Sequence, residues 1–217
     1  RVEFYIDDSL FFTDTESPYQ YDWNTTQYED NSEHIVKVIS YDDSDNSTES
    51  QPIMLIVHNG VYLWGEYYSL NTTSLGLHGS GLTGEIPEEI GNLTNLTRLW
   101  LHDNQLTGFI PPEIGNLTNL TSLGLHGNEI TGEIPSEIGN LTNLTYLNLR
   151  SNQLTGSIPS EIGNLTNLIG LNLSYNELTS SIPSEIGNLT NLTYLNLRSN
   201  QLTGSIPSEI GNLTNLE

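Results

Sequence analysis

From residue 72 onward the apolar positions recur every 24 residues, through six consecutive copies (72–95, 96–119, 120–143, 144–167, 168–191 and 192–215). In the second copy they are Leu96, Leu99, Leu101, Leu106, Ile110, Ile114 and Leu117. Leu99 and Leu101 alternate with Arg98, Trp100 and His102, which predicts a short strand with one buried face. Gly108, Pro111 and Gly115 then bend the chain and prevent a long helix. One coil cannot bury seven apolar side chains alone, but stacked coils can. The period therefore predicts a solenoid with a continuous interior and a parallel sheet along one face. Copies four and six are identical at all 24 positions, so the stacking surface repeats as well as the core.

Residues 1–58 follow a different pattern. Val2, Phe4 and Ile6 alternate, then Val36, Val38 and Ser40, then Ile53, Leu55 and Val57, with Asp-, Ser- and Asn-rich turns between them. This predicts antiparallel β structure. Residues 59–71 join the two parts, and Leu63, Trp64 and Tyr67 suit a cap over the open end of the first coil, because an uncapped solenoid exposes its core. The expected organisation is a β domain over 1–58, a cap over 59–71 and the solenoid over 72–217.

One polar position is as regular as the leucines. Asn104, Asn128, Asn152, Asn176 and Asn200 follow each strand, with Ser80 in the first copy. An inward-facing amide ladder that satisfies backbone groups at the turn accounts for them. The full pattern, LxxLxLxxNxLTGxIPxEIGNLTN, resembles the leucine-rich repeat, in particular the 24-residue plant-type class marked by LTGxIP. The resemblance implies a curved or twisted right-handed solenoid with a concave parallel sheet, a second short strand or 3₁₀ element near the LTGxIP turn, and a role in protein recognition. The string VEFYIDDSLFFTDTESPYQYDW, with HIVKVISYDDSDNS and PIMLIVHN after it, is similar to the later strands of a bacterial immunoglobulin-like module, with Tyr19, Tyr21 and Trp23 in its PYxYxW strand. Such a sandwich has about seven strands, and five are visible here. The expected fold class is mainly β: a leucine-rich-repeat solenoid with a concave parallel β-sheet, preceded by a partial antiparallel immunoglobulin-like β-sandwich. The missing strands and the seventh copy, cut off after Glu217, point to a segment of a longer protein; completion by a partner strand or by coils of a neighbouring subunit is the alternative.

Charge narrows the function. The chain has 27 Asp+Glu against 5 Lys+Arg, a net −22. Nucleic-acid phosphates and anionic lipid surfaces are thereby disfavoured as partners. No cysteine is present, which removes disulfides, thiolate zinc sites and Cys nucleophiles. The longest apolar run, 53–57, is far below the roughly 20 residues of a spanning helix, so membrane insertion is not expected. No GxSxG, HExxH or Walker motif appears, and no catalytic residue is assigned.

The strand offsets bring Arg98, Trp100, His102, Tyr146, Arg150, Tyr194 and Arg198 to the concave face, with no carboxylate at the same offsets. Aromatic and Arg side chains dominate binding hot spots, so these seven are the candidate ligand-binding stripe. His78, His102 and His126 occupy successive rungs, but without an adjacent carboxylate in the strands no metal site is assigned; Asp103 lies just beyond the strand. Glu89, Glu113, Glu137, Glu161, Glu185 and Glu209 form a ladder elsewhere on each coil, read as a solvated face, with bridging by Ca²⁺ as the sharper alternative. No cofactor is otherwise expected. The sequence thus reads as a non-enzymatic, secreted or cell-surface recognition or adhesion module that binds protein or glycan through the concave stripe. A structural stalk or self-associating filament subunit is the first alternative, and a non-catalytic accessory region of a larger secreted enzyme the second.

Overall fold

In the computed structural model, which describes residues 1–25, 28 and 32–217, the chain divides into two compact units, Arg1–Gly60 and Val61–Glu217. The first is built on strands β1 (Val2–Ile6), β2 (Ser9–Asp14), β3 (Glu33–Tyr41), β4 (Ser47–Glu49) and β5 (Ile53–Ile56). They form one antiparallel sheet in the order β2-β1-β3-β4, with β5 paired to the Glu33–Val36 end of β3. Asp7 and Asp8, at φ 50° and 62°, make the tight β1–β2 turn. The Asp7 carboxylate then ties that turn to β3, meeting His34 Nδ1 at 2.6 Å and accepting the Ile35 N–H at 2.9 Å.

Two expectations for this unit change. Tyr19, Tyr21 and Trp23 form no strand. The Asp14 carboxylate accepts the N–H groups of Glu16 and Gln20, each at 3.0 Å, which closes a loop in place of a ladder. The rings pack nonetheless: Tyr21 stacks on Phe12 at 4.6 Å and Trp23 meets His34 edge-on at 5.5 Å. Second, alternation in 53–57 predicts one buried face, yet all four residues of β5 are exposed, and only Val57 beyond it is buried. The described residues of this unit supply no second sheet to cover β5.

The second unit begins with the hairpin β6 (Gly60–Leu63) and β7 (Glu66–Ser69). Val61 and Leu63 join the core formed with Leu75, and Trp64 and Tyr68 pack against it. Each coil of the solenoid then contributes a three-residue strand to one sheet: β8 (Ser74–Gly76), β10 (Arg98–Trp100), β12 (Ser122–Gly124), β14 (Tyr146–Asn148), β16 (Gly170–Asn172) and β17 (Tyr194–Asn196). This sheet is parallel and in register, so every residue lies beside its equivalent 24 positions away. In the LTG segments, β9 (Thr83–Glu85) pairs with β11 (Gln105–Thr107), and β13 (Thr131–Glu133) with β15 (Gln153–Thr155).

A single 3₁₀ turn closes each coil, from Glu88–Asn92 in the first to Ser208–Asn212 in the last. A proline in extended conformation precedes each one, as Pro135 does at φ −66° and ψ 142°. Glycine within the turn lets coils approach: a Cβ on Gly139 would stand 2.6 Å from Glu161 O and Cβ in the next coil. Leucine and isoleucine fill the interior without a break from Leu63 to Leu192.

The amide ladder runs between these layers. Asn128 Nδ2 donates to Leu101 O and Leu125 O, each at 3.0 Å, while its Oδ1 accepts the Leu106 N–H at 3.1 Å. Asn104, Asn152, Asn176 and Asn200 make the same set one or more coils away. A second ladder joins coils at the NLTN phrase. Asn119 Nδ2 donates to Thr94 O and Thr121 Oγ1 to Thr97 O, both at 2.9 Å.

Two measurements test this account. Asn128→Ala strands two carbonyls and one N–H in a dry interior, so we expect a loss of about 2–4 kcal/mol, seen as a lower urea midpoint. An unchanged midpoint would remove the ladder from the list of structural determinants. The second test uses acid. Hydrogen bonds from His34 and from the Ile35 N–H hold Asp7 below the usual carboxylate range, and backbone N–H groups do the same for Asp14. Asn46 acts likewise on Asp42. Depressed carboxylate pKa values contribute stability above about pH 4 and lose it as pH falls through the folded values. Among the described residues of the solenoid only Asp103 is so placed. Amide NMR signals of 1–60 should therefore vanish at higher pH than those of 61–217. Simultaneous loss would contradict this.

Candidate ligand-binding face

The strand residues flanking each buried leucine project from the parallel sheet, so the register alone sets up the face. Trp100 lies across its rung between Gly76 and Gly124, whose added Cβ atoms would sit 3.8 and 3.6 Å from the indole ring. Its Nε1 donates to Ser122 Oγ at 3.0 Å, and Arg98 stands 6.0 Å over the ring. A bulky ring is thus held flat on a sheet of small neighbours.

Tyr146 and Tyr194 occupy rungs on either side of Gly170 and are about half exposed (53% and 47%), which leaves both rings available to a ligand. With Leu147, Asn148, Asn172 and Thr193 they line a cleft of ≈ 280 Å³. Tyr146 leans over the missing side chain, so that a Cβ at residue 170 would stand 3.0 Å from its ring. Tyr194 is oriented by Asn196, whose Nδ2 donates to the phenol oxygen at 2.9 Å.

Arg150 and Arg198 are brought together by a residue that strand spacing alone passes over. Tyr175 lies between them, its ring 5.3 Å from the Arg150 guanidinium and 4.8 Å from that of Arg198. Arg198 Nη2 also donates to the Tyr175 hydroxyl. Tyr175 directly precedes a ladder asparagine, as do Asp103, Gly127, Ser151 and Ser199. All five have positive φ, between 55° and 67°. This left-handed turn throws the side chain back toward the rim of the face. The signal was in the sequence, at the position before each Asn of the ladder.

The same turn changes the electrostatics. His78, His102 and His126 stack with ring centroids 4.8 and 4.2 Å apart. Asp103 swings in beside them, its Oδ2 2.9 Å from His102 Nδ1. That hydrogen bond holds Asp103 below the usual carboxylate range. Burial foremost, then the charges of His102 and Arg150, pulls His126 below its ordinary value. The face is therefore not free of carboxylates. The stripe divides in two: tryptophan, histidines, Arg98 and one acid on the early rungs, tyrosines with Arg150 and Arg198 on the later ones.

The glutamate ladder lies on the 3₁₀ turns. In four coils the preceding serine donates to the carboxylate at 3.2 Å, as Ser136 does to Glu137. Among the described residues, the one group of three or more His, Cys, Asp or Glu side chains placed to share an ion is His102, Asp103 and His126. The Asn-Leu-Thr triplets that begin at Asn95, Asn119, Asn143 and Asn191 have the form of N-glycosylation acceptors, but they fall on the second ladder, where each Nδ2 is already donated, to the preceding coil or, for Asn95, to Leu70 O.

Comparison with known proteins fits this architecture. Residues 128–217 match the leucine-rich repeat region family, 94–136 a two-copy leucine-rich-repeat family, and 1–38 a bacterial Ig domain. The solved BIR3–SERK2 complex from Arabidopsis thaliana contains a chain 36% identical, with 63% of this chain and 72% of that one covered and a TM-score of 0.54. The chain belongs to the leucine-rich-repeat family. Its repeats are also similar to the leucine-rich-repeat ectodomain of the receptor kinase GASSHO1/SCHENGEN3 from the same plant, solved with CASPARIAN STRIP INTEGRITY FACTOR 2. That match has 45% identity and a TM-score of 0.68, over 68% of this chain and 18% of that one. The receptor kinase HAESA from Arabidopsis, solved with the peptide hormone IDA and the co-receptor SERK1, is 42% identical over 65% of this chain and 24% of that one, at a TM-score of 0.64. This leucine-rich-repeat chain thus spans about a quarter or less of the length of either of these two chains. A search of curated proteins gives no match. Among the described residues, no helix is long and apolar enough to cross a membrane.

Proposed function

We propose that the chain is a non-enzymatic recognition module that binds an extended peptide along the concave face, in an extracellular or cell-surface setting. The observation that carries this reading is the pairing of the Tyr146–Tyr194 cleft with Arg150 and Arg198 on one rigid sheet. Six strands at a spacing of about 4.8 Å span roughly 24 Å, the length of some seven extended residues. An apolar or ring-bearing peptide side chain would enter the cleft, and the arginines would take a peptide carboxylate. The peptide and co-receptor complexes of similar ectodomains support a protein ligand over a glycan. The LTGxIP segments and these same neighbours support the plant-type repeat class.

A structural role has its own support in the two identical coils and the continuous Asn and Thr ladders, which favour a stiff spacer. The two readings differ in what the concave face does. Screening the chain against peptide and glycan arrays should yield a peptide whose affinity falls about tenfold or more in Tyr146→Ala and Arg150→Ala. Glu137→Gln and Glu161→Gln, away from that face, should leave it unchanged. A glycan ligand lost on the same substitutions would replace the peptide. No ligand on either array, together with fibres in negative stain, would move the assignment to the spacer.

A further inference from the structure

The histidine stack serves neither the core nor the tyrosine cleft. Imidazoles stacked face to face on an open sheet gain little from one another. The register of β8, β10 and β12 brings them together, with interplanar angles of 12°. His126 Nδ1 is shielded from solvent and has no hydrogen-bond partner. A shielded nitrogen of that kind calls for a reason, and an ion not yet bound is one of the recognised reasons.

Asp103 supplies the second half of the argument. Its left-handed backbone, at φ 57°, sends the carboxylate out of its own rung toward the next. There Gly127 makes room, since a Cβ at residue 127 would stand 2.6 Å from Asp103 Oδ1. The later coils have Ser151, Tyr175 and Ser199 at this position, and any of them in place of Gly127 would close the space. Gly124 packs against His102 and His126, an added Cβ there meeting His102 Cδ2 at 3.5 Å and His126 Nδ1 at 3.8 Å in ordinary contact.

We propose that His102, Asp103 and His126 form a binding site for a transition ion of the Zn²⁺, Cu²⁺ or Ni²⁺ class. One ligand atom from each of the three residues lies within 4.8 Å of the others. Tetrahedral Zn²⁺ with bonds of about 2.0–2.1 Å sets its ligand atoms roughly 3.4 Å apart, so side-chain rotation closes the site. Two imidazoles and one carboxylate suit this class, whereas Ca²⁺ and Mg²⁺ require six or more oxygen ligands. The bound ion would join the second coil to the third. Its remaining positions would face solvent at the edge of the concave face, open to a carboxylate or imidazole of a partner. This inference does not depend on the peptide reading.

The test is calorimetric titration of zinc chloride into the full chain near neutral pH, in buffer free of chelators. One equivalent should bind with a dissociation constant in the micromolar range or below, while calcium and magnesium chloride give no comparable heat. His126→Ala and Asp103→Asn should each weaken binding by about tenfold or more, and Glu161→Gln should not. Circular dichroism and melting in EDTA confirm that each variant is folded; a variant that is not is replaced by His102→Gln. Millimolar or weaker binding, or binding that survives the loss of both His102 and His126, overturns the proposal. The second outcome would place the ion on the acidic surface instead.

Discussion

The solenoid depends on how the backbone is satisfied where the chain leaves the concave sheet. At that corner the carbonyls of Leu101 and Leu125 and the N–H of Leu106 lie in an interior built of leucine and isoleucine, out of reach of water. One amide serves all three: Asn128 donates twice and accepts once. Net hydrogen-bond energies are modest, but an unmade bond in a dry site is expensive. Because each asparagine bonds groups of its own coil and of the preceding one, the corner also sets the distance between coils. Register and the placing of face residues follow from a geometry repeated five times.

Close approach adds a second constraint, and together the two explain why the copies are so alike. Gly139 touches Glu161 backbone, Asn119 bonds Thr94, and Thr121 bonds Thr97, so each coil meets a near copy of itself. A change at any of these positions must be accommodated on two sides. Among the positions released from this demand are the outward strand residues and the residue in the left-handed turn. There the copies do differ. Arg98, Ser122, Tyr146, Gly170 and Tyr194 occupy one such offset, and Asp103, Gly127, Ser151, Tyr175 and Ser199 another. The copies differ elsewhere too, as at Glu85, Phe109 and Ser157 and at Glu88, Pro112 and Ser136, but every Arg and His of the solenoid lies on the strand face.

Most of the solenoid could be read from the sequence, because a short strand with a buried leucine and a corner asparagine is decided locally and then repeated. Trp100, the tyrosines and the arginines fall at the strand offsets for the same reason. What escaped were interactions set by backbone conformation. Tyr175 and Asp103 lie one residue past the alternating pattern, and only a positive φ turns them toward the face. In the first unit, alternation in 53–57 suggests a half-buried strand, but burial requires a covering layer that the described residues of that unit do not contain. The Tyr19–Trp23 segment alternates as a strand would. The Asp14 carboxylate captures the preceding loop instead, so a side chain competes successfully with the sheet for those N–H groups.

The division of the face into two halves bears on what it can hold. A uniform stripe of aromatics and arginines would bind any acidic, ring-rich segment in several registers, since equivalent rungs offer equivalent contacts. Here the third rung, with Ser122 and Gly124, separates Trp100 from the Tyr146 cleft, and the acid of Asp103 stands at the opposite end from Arg150 and Arg198. The early end, where Arg98 and Asp103 carry opposite signs, imposes no single charge preference, but reversing a ligand whose acid pairs with Arg150 and Arg198 would set its base against those arginines. Such like-charge juxtaposition discriminates by penalty more than by attraction. Near-identical coils thus gain polarity from a handful of substitutions, at the positions where the stacking permits them.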